Sequence, residues 1–393
     1  MSSAANVTRE ELVGRAQDMI PALRARARDA ELARRMPDET HRDFLDAGFY
    51  KIYRPKRFGG YELPLRAMIE VVSEIGRGCG SSAWVLSNIA GHEKSHGMRD
   101  PDVQAELRAR DPELLTCAGF PGKDAKMRRV DGGILLDGVW NFASGVDFAN
   151  WCDTNVFLPR EGTHPEHFFA MVPKSDYEVI DDWFVTGLAA TGSRSVKFHE
   201  CFVPQRFMLA SENFRGGMTP GSTLHAGPLF KAPIWATGGK MFSAPLLGIA
   251  RGALDLTLEN MGARRAVTGA DLAQTQSVHL RIAEAEAELD AAAALILTDA
   301  DIVMEYAARG ETAPLQERVR WRRNDAYAAK LCLQAVERLH ALAGARRLGA
   351  DDPFQRHWRD AHAAAAQISL AWDLQATNSG RVMFGLPPGD PRV

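Results

Sequence analysis

Residues 133–158 read GILLDGVWNFASGVDFANWCDTNVFL. Two short segments rich in apolar and aromatic residues flank a stretch that contains Gly, Ser and Asp. Segments of about 4 to 8 such residues, bounded by turn residues, are typical of β-strands. Similar segments follow at 168–172 and 195–203. We therefore predict a central antiparallel β-domain, a small barrel or sandwich, over residues 114–210.

The residues that precede this β-domain have helical spacing. Thr8 and Glu11 form a capping-box pattern, in which each side chain satisfies a backbone N–H of the other residue. Leu12 then begins an apolar series that recurs about once per helical turn. Further helices are predicted over residues 37–47, 65–76 and 81–97. We assign residues 1–113 to an N-terminal helical domain.

The residues that follow the β-domain also favour helices. The stretch 214–240 is rich in Gly, Pro and Thr, which indicates a loop, either a linker or an active-site lid. Helices are predicted over residues 242–263, 274–308, 314–343 and 353–378. We assign residues 211–393 to a C-terminal four-helix bundle, so that the fold is α+β and mainly helical. A β-domain beside such a bundle leaves a cleft for a flat cofactor.

The composition excludes several classes of protein. Among 393 residues the formal net charge is −3, so there is no basic excess to indicate nucleic-acid or membrane binding. Five cysteines are far apart and form no CxxC pair, which argues against a disulfide framework and a metal site. No signal peptide or transmembrane run of about 20 apolar residues is visible. A cytoplasmic location is therefore expected.

The order of these regions resembles the acyl-CoA dehydrogenase fold, and four segments carry the resemblance over nearly the whole chain. One is similar to the loop between early helices, one to the central β-domain, one to the strands beside the flavin, and one to the Arg-Asp element near the end. They are RPKRFGGY at 54–61, GVWNFASG at 138–145, GLAATGS at 187–193 and QRHWRD at 355–360.

Two features favour the hydroxylase branch of this family, the oxygenase components of two-component (group D) flavin-dependent monooxygenases. Residues 372–393 contain Asp373 and Asp390 but no Glu, whereas a dehydrogenase generally needs a carboxylate base. The stretch SSAW at 81–84, which leads to His92, also resembles the hydroxylases.

The resemblance implies reduced FMN or FAD as the cofactor and O2 as cosubstrate. Oxygen adds at flavin C4a, and one oxygen atom passes to an aromatic or polycyclic small molecule. No GxGxxG follows a strand, so no nicotinamide site is visible. A separate flavin reductase is therefore the expected partner.

The resemblance also implies four catalytic positions. His92 falls where the hydroxylases keep a histidine on the substrate side, and a histidine can deprotonate or hold a phenol hydroxyl. His96, one helical turn later, is either the functional partner of His92 or a histidine with no part in the reaction. Ser144 is expected to reach the flavin C4a–N5 edge or the substrate. Gln367 stands seven residues after Asp360, where a second histidine is usual, and His362 lies on the same predicted helix.

Seven further residues are implied to bind the cofactor. The aromatic residues would form the wall of the flavin pocket, although a β-domain core is an equally sound interpretation of them. Two hydroxyls would bind the flavin ring or ribityl chain, and two arginines would bind its phosphate. These residues are Trp140, Phe142, Trp151, Thr191, Ser193, Arg264 and Arg265.

Alternative functions follow from the same fold. An acyl-CoA dehydrogenase would oxidise a thioester with tightly bound FAD, an N- or S-oxygenase would change the acceptor atom, and a flavin-binding scaffold would be catalytically idle. The Ala-rich stretch 283–298 favours subunit packing, and the resemblance implies a homotetramer.

Overall fold

The computed structural model describes residues 7–161, 164–261, 265, 269, 271–390 and 392. It confirms the predicted order of a helical region, a β-region and a second helical region.

The N-terminal region contains five helices among the described residues. They are α1 (Arg9–Ala33), α2 (Asp38–Asp46), α3 (Leu65–Gly78), α4 (Gly80–Met98) and α5 (Pro101–Arg110). The predicted capping box of α1 is confirmed: the Thr8 hydroxyl accepts from the Glu11 backbone N–H at 3.2 Å, and the Glu11 carboxylate accepts from the Thr8 N–H at 2.8 Å. Two backbone donors at the start of α1 are thereby satisfied.

The β-region contains two sheets that enclose one apolar core. Its strands are β1 (Thr116–Cys117), β2 (Phe120–Pro121), β3 (Lys126–Val130), β4 (Gly133–Asn141), β5 (Trp151–Leu158), β6 (Glu166–Pro173), β7 (Glu178–Ile180), β8 (Ser195–Pro204) and β9 (Met208–Ala210). One sheet has the order β1-β5-β6-β9, and the other has β2-β4-β8-β7 with β3 beside β4. All described pairs are antiparallel except β1 with β5. Because neither described sheet closes on itself, the predicted sandwich fits and the barrel does not.

The C-terminal region packs its long helices against one another and against α3. They are α6 (Lys240–Met261), α7 (Gln276–Arg309), α8 (Leu315–Ala343), α9 (Pro353–Ala365) and α10 (Trp372–Met383). Of the described helices, α6 has the length and apolar composition to span a membrane. Two thirds of that span (67%) is buried inside the fold, as in a core helix.

The prediction of one continuous helix over 353–378 was wrong. The chain leaves the helix after Ala365 and makes a short 3-10 turn, Ile368–Leu370, before α10 begins. Gln367 has extended backbone angles (φ −66°, ψ 133°), and its side-chain oxygen accepts from the Ser369 N–H at 2.5 Å. This side chain replaces the backbone acceptor that a continuous helix would supply.

The segment that precedes α6 is packed into the molecule, so the linker interpretation of 214–240 was wrong. Phe214, Leu229 and Phe230 are fully buried. Phe230 lies so close to Gly97 on α4 that a side chain at position 97 would overlap its ring. The segment therefore covers the C-terminal half of α4.

Helix α4 runs through the centre of the molecule, and buried ion pairs lie on it and next to it. Glu93 accepts from Arg54 Nε at 2.9 Å and also pairs with Arg108. Next to the helix, Asp153 of β5 pairs with Arg99 at 2.5 Å and accepts from Ser95 at 3.0 Å. Asp153 is fully buried and Arg99 nearly so.

We expect Asp153→Asn to lower the free energy of unfolding by about 3 to 5 kcal/mol, because it leaves Arg99 as an uncompensated buried charge. Urea unfolding followed by far-UV circular dichroism measures this loss. Asp301→Asn is the matched control: Asp301 pairs with Arg66 but its side chain is 50% exposed, so the expected loss is below about 1 kcal/mol. Equal losses in the two variants would contradict the account.

Candidate active site

Helix α4 is buried along its length except at Asn88 and His92. These residues are four positions apart and therefore share one face of the helix, and Trp84 lies one turn before them on the same face. On a helix that is otherwise enclosed, this stripe of Trp84, Asn88 and His92 is the candidate wall of a ligand site, and we call the space that it faces the cleft.

The neighbours of the stripe show which parts of the fold form the cleft. On one side, Ser87 donates to the Met241 carbonyl at 2.7 Å near the start of α6. On the other side, Ile89 lies against Gly145 in the connection between β4 and β5. Successive helix positions differ by about 100°, so the stripe faces the gap between these two contacts. The stripe thus lies where the β-sandwich meets the helical bundle, which is where the sequence predicts a cleft for a flat cofactor.

Three residues predicted from the sequence come together at this cleft. The Ser144 hydroxyl lies 2.7 Å from that of Ser193, which lies 2.7 Å from that of Thr191. Trp84 Nε1 donates to Ser144 Oγ at 3.2 Å. At the far end, Thr191 Oγ1 donates to the Leu188 carbonyl at 2.8 Å. Hydrogen bonds therefore connect the α4 stripe to the turn at Leu188 through a chain of three hydroxyls.

The two serine links of this hydroxyl chain can run in either direction, since either atom can be the donor at each link. The Leu188 carbonyl also accepts from the Thr191 N–H at 3.1 Å and from Trp183 Nε1 at 3.3 Å. In the arrangement in which the Thr191 hydroxyl donates to Leu188, Ser193 donates to Thr191 and Ser144 donates to Ser193. The indole N–H of Trp84 occupies one lone pair of Ser144. In this arrangement Ser144 presents a single remaining lone pair toward a ligand in the cleft and acts as an acceptor.

The turn that ends the chain is held by Asp360 of α9. Leu188 has left-handed backbone angles (φ 54°), which disfavour a residue with a branched side chain. Its N–H donates to Asp360 Oδ1 at 2.6 Å. Burial raises the pKa of Asp360 to about 6. The sequence marked this aspartate only as part of a family segment; its contact with Leu188 across 172 positions was not visible there.

His92 lies in the stripe and is partly exposed. Its carbonyl accepts from Ser95 Oγ at 2.8 Å, whereas its imidazole has no hydrogen-bond partner within the described part of the chain. Removal from water lowers the pKa of His92 to about 4, against the opposing effect of Asp153. The ring is therefore neutral at pH 7 and offers one acceptor nitrogen to a ligand.

His96, the second histidine of α4, is buried away from the stripe. Its Nε2 lies 3.1 Å from Thr116 Oγ1 and its Nδ1 lies 3.6 Å from Glu93. These contacts join it to the buried ion pairs of α4. They favour the interpretation of His96 as a structural residue.

The three predicted aromatic residues have different environments. Trp140 is fully buried, donates to the Asn155 carbonyl at 2.8 Å and meets Phe198 edge-on. Trp151 is also buried in the sandwich and donates to Asp111 at 2.5 Å. Neither has a free face, which supports the interpretation as core aromatics. Phe142, by contrast, is 61% exposed.

Phe142 is next to the cleft in sequence and has an unusual backbone. Its φ is 65°, which costs energy for a bulky residue and is often found at binding sites. Its ring meets the edge of Trp183, with centroids 6.2 Å apart. These two rings supply an accessible aromatic surface two residues from Ser144.

The remaining predicted positions do not share these contacts. His362 is exposed and lies 2.8 Å from Glu337, and Gln367 caps the 3-10 turn described above. Arg265 is exposed and pairs with Asp271 in an isolated β-bridge. Arg264 lies outside the described residues. Within the described ranges no group of three or more potential metal ligands occurs.

Comparison with known proteins shows the family to which this chain belongs. Residues 8–93 match the family model of the acyl-CoA dehydrogenase N-terminal domain, and residues 240–372 match that of the C-terminal domain. The chain is 30% identical to the flavin-dependent monooxygenase, oxygenase subunit HsaA, of Mycobacterium tuberculosis (strain H37Rv), with all of both chains covered. The chain belongs to the flavin-dependent monooxygenases of the acyl-CoA dehydrogenase fold. This finding confirms the resemblance seen in the sequence.

Other members of these monooxygenases agree. The chain is 32% identical to the FADH2-dependent resorcinol hydroxylase, oxygenase component, of Rhizobium sp. (strain MTP-10005), with 96% of this chain and 95% of the relative covered. The crystal structure of the M. tuberculosis HsaA monooxygenase superposes with a TM-score of 0.91 at 30% identity, covering 98% and 100%. XiaF from Streptomyces sp., in complex with FADH2 and glycerol, superposes with 0.89 at 25% identity, covering 98% of each chain.

We expect Asp360→Ala to increase amide hydrogen exchange of residues 188–193 roughly tenfold, since the variant removes the acceptor that holds Leu188. Native-state exchange followed by mass spectrometry measures it. Asp360→Asn keeps the acceptor oxygen and should leave exchange near that of the wild type. Unchanged exchange in the alanine variant would show that Asp360 does not hold the turn.

Proposed function

We propose that this chain is the oxygenase component of a two-component flavin-dependent monooxygenase that hydroxylates an aromatic small molecule. The cofactor is reduced FMN or FAD, a separate reductase supplies it, and O2 is the cosubstrate. Its relatives are named as oxygenase components and hydroxylases of this kind. The observation that carries the proposal for this chain is the Ser144–Ser193–Thr191 hydroxyl chain beside Trp84, to which we assign the direction that runs from Ser144 to Leu188.

The acceptor character of Ser144 fits a reduced flavin. Reduction adds an N–H donor at N5 of the isoalloxazine ring, whereas N5 of the oxidised ring can only accept. In the assigned direction Ser144 donates its proton to Ser193, so toward a ligand it offers a lone pair and no proton. The site is therefore complementary to the reduced form and unmatched to the oxidised form.

The aromatic side chains fit a flat cofactor as well. Phe142 and Trp183 present accessible ring surface beside Ser144, and Trp84 and Phe242 pack with ring centroids 5.0 Å apart. Bound there, a reduced flavin activates dioxygen and delivers one oxygen atom. The chain itself supplies orientation, hydrogen-bond polarity and the exclusion of water.

His92 is suited to hold a phenol rather than to deprotonate it strongly. Its neutral imidazole accepts a hydrogen bond from a hydroxyl, and its low pKa limits its strength as a base. His92 lies about two helical turns after Trp84. A phenol whose hydroxyl is bound by His92 would therefore have its aromatic ring along the stripe. The groups of the stripe are neutral, which agrees with an aromatic alcohol and offers no carboxylate base for thioester oxidation.

The proposal includes a homotetramer in the cytoplasm. Exposed apolar residues at the C-terminal end, Met383 (79% exposed) and Phe384 (86% exposed), support assembly, since exposed apolar surface is a common feature of subunit interfaces. The experiment that tests the function itself is turnover: purified chain, a flavin reductase, FMN or FAD, NADH, oxygen and simple phenols should yield hydroxylated product with both proteins present and none without the oxygenase.

We expect the wild type to bind reduced flavin at least about fivefold more tightly than oxidised flavin, the effect of one hydrogen bond. Thr191→Val removes the hydroxyl that fixes the chain direction, so Ser193 and Ser144 can reverse and the preference should shrink. Thr191→Ser retains the hydroxyl and is the matched control. Anaerobic fluorescence titrations with FMN and FAD in both redox states measure it. Equal affinities in the wild type would contradict the assigned direction.

We expect kcat/KM for a phenol to show no loss that is due to His92 between pH 8 and about pH 5. A folded-state pKa near 4 keeps the imidazole neutral over this range, whereas an ordinary histidine would become charged below about pH 6.5. His92→Phe should lower kcat/KM at least tenfold. If the wild type has an acid limb near pH 6.5 that is absent from His92→Phe, the neutral-acceptor role is wrong.

A further inference from the structure

Asn88 is the second partly exposed residue of α4 that faces the cleft, and its hydrogen bond within the helix determines which of its side-chain atoms can bind a ligand. Its Nδ2 donates to the Trp84 carbonyl at 2.8 Å. Because a carbonyl oxygen accepts only, the amide group must have its NH2 toward Trp84 and its Oδ1 on the other side. Within the described residues Oδ1 has no hydrogen-bond partner. It is a fixed, partly exposed acceptor.

Asn88 and His92 together present two acceptors in a row. The neutral imidazole of His92 offers one acceptor nitrogen, and the Asn88 amide offers Oδ1 one helical turn earlier. Side chains at positions i and i+4 have Cβ atoms about 5 to 6 Å apart. A ligand that satisfies both must carry two hydrogen-bond donors at a comparable separation.

We propose that Asn88 selects aromatic substrates that carry a second hydrogen-bond donor, meta or para to the phenol hydroxyl held by His92. Hydroxyls on adjacent ring carbons are too close together to reach both acceptors, whereas meta and para hydroxyls span the gap. A substituent that can only accept, such as a methoxy group, would face the Asn88 oxygen unpaired and bind less well. The inference rests on the proposed function and adds the substrate class.

Calorimetric titration of the flavin-free chain with phenol, resorcinol, catechol and 3-methoxyphenol tests this inference without turnover. For the wild type we expect resorcinol to bind at least about fivefold more tightly than 3-methoxyphenol and than catechol. In Asn88→Leu, which has a similar volume but no acceptor, resorcinol and 3-methoxyphenol should bind alike, and phenol should bind as to the wild type.

Asn88→Asp gives a second arm that restores the acceptor. Its carboxylate still accepts, so resorcinol should remain preferred over 3-methoxyphenol even though the bond to Trp84 is lost. The inference is overturned if the wild type does not distinguish the two ligands, or if Asn88→Leu weakens phenol, resorcinol and 3-methoxyphenol equally. The latter result would place Asn88 at the cofactor or in the support of α4. Failure of turnover with preserved resorcinol selectivity would instead count against the proposed function alone.

Discussion

The enclosure of α4 is the constraint on which the other features depend. A central helix that carries Glu93 and Lys94 can be buried only if each charge finds a partner, since an unpaired buried charge costs several kcal/mol. Arg54 and Arg108 neutralise Glu93, while burial lowers the pKa of Lys94 to about 7 and its Nζ donates to the Pro233 carbonyl at 2.9 Å. These contacts draw the N-terminal loop and the segment before α6 around the helix. These contacts leave one face of α4 uncovered, and this face carries Asn88 and His92, the two partly exposed residues of the stripe.

The second consequence is that the site is assembled from distant parts of the chain by backbone groups. Asp360 of α9 accepts from the Leu188 N–H, and the Leu188 carbonyl accepts from Thr191 at the end of the hydroxyl chain that leads to Ser144. The bundle thereby supports the turn to which a serine in the β-region is connected. A change in α9 can therefore alter the cleft without any contact with a ligand, in the way that supporting residues govern many binding sites.

The sequence predicted the regular parts of this fold because periodicity reports which residues are buried. The three long bundle helices and the strands β4, β5, β6 and β8 follow from that signal. Local conformations were harder to foresee. Alternation along a strand would place Trp140 and Phe142 on the same face, yet β4 ends at Asn141 and the positive φ of Phe142 turns its ring outward. A left-handed phenylalanine is rare, so no pattern in the sequence indicated it.

The site residues divide in the same way. Ser144, Thr191 and Ser193 could be selected because the family segments contain them, but the direction of their hydrogen bonds depends on Leu188, whose carbonyl orientation no sequence pattern gives. Likewise, Asn88 carried no sequence signal, because an asparagine inside an apolar helix is read as a surface residue.

Both proposed acceptors of the cleft, Ser144 Oγ and Asn88 Oδ1, belong to hydrogen-bonded groups that end on backbone carbonyls rather than on charged side chains. The carbonyl is that of Leu188 for the first and that of Trp84 for the second. Carbonyls do not titrate, and His92 stays neutral down to about pH 4 because its pKa is lowered by burial. Ligand recognition should thus depend mainly on the pattern of donors on flavin and substrate, and its pH dependence should come from Asp360, whose pKa burial raises to about 6.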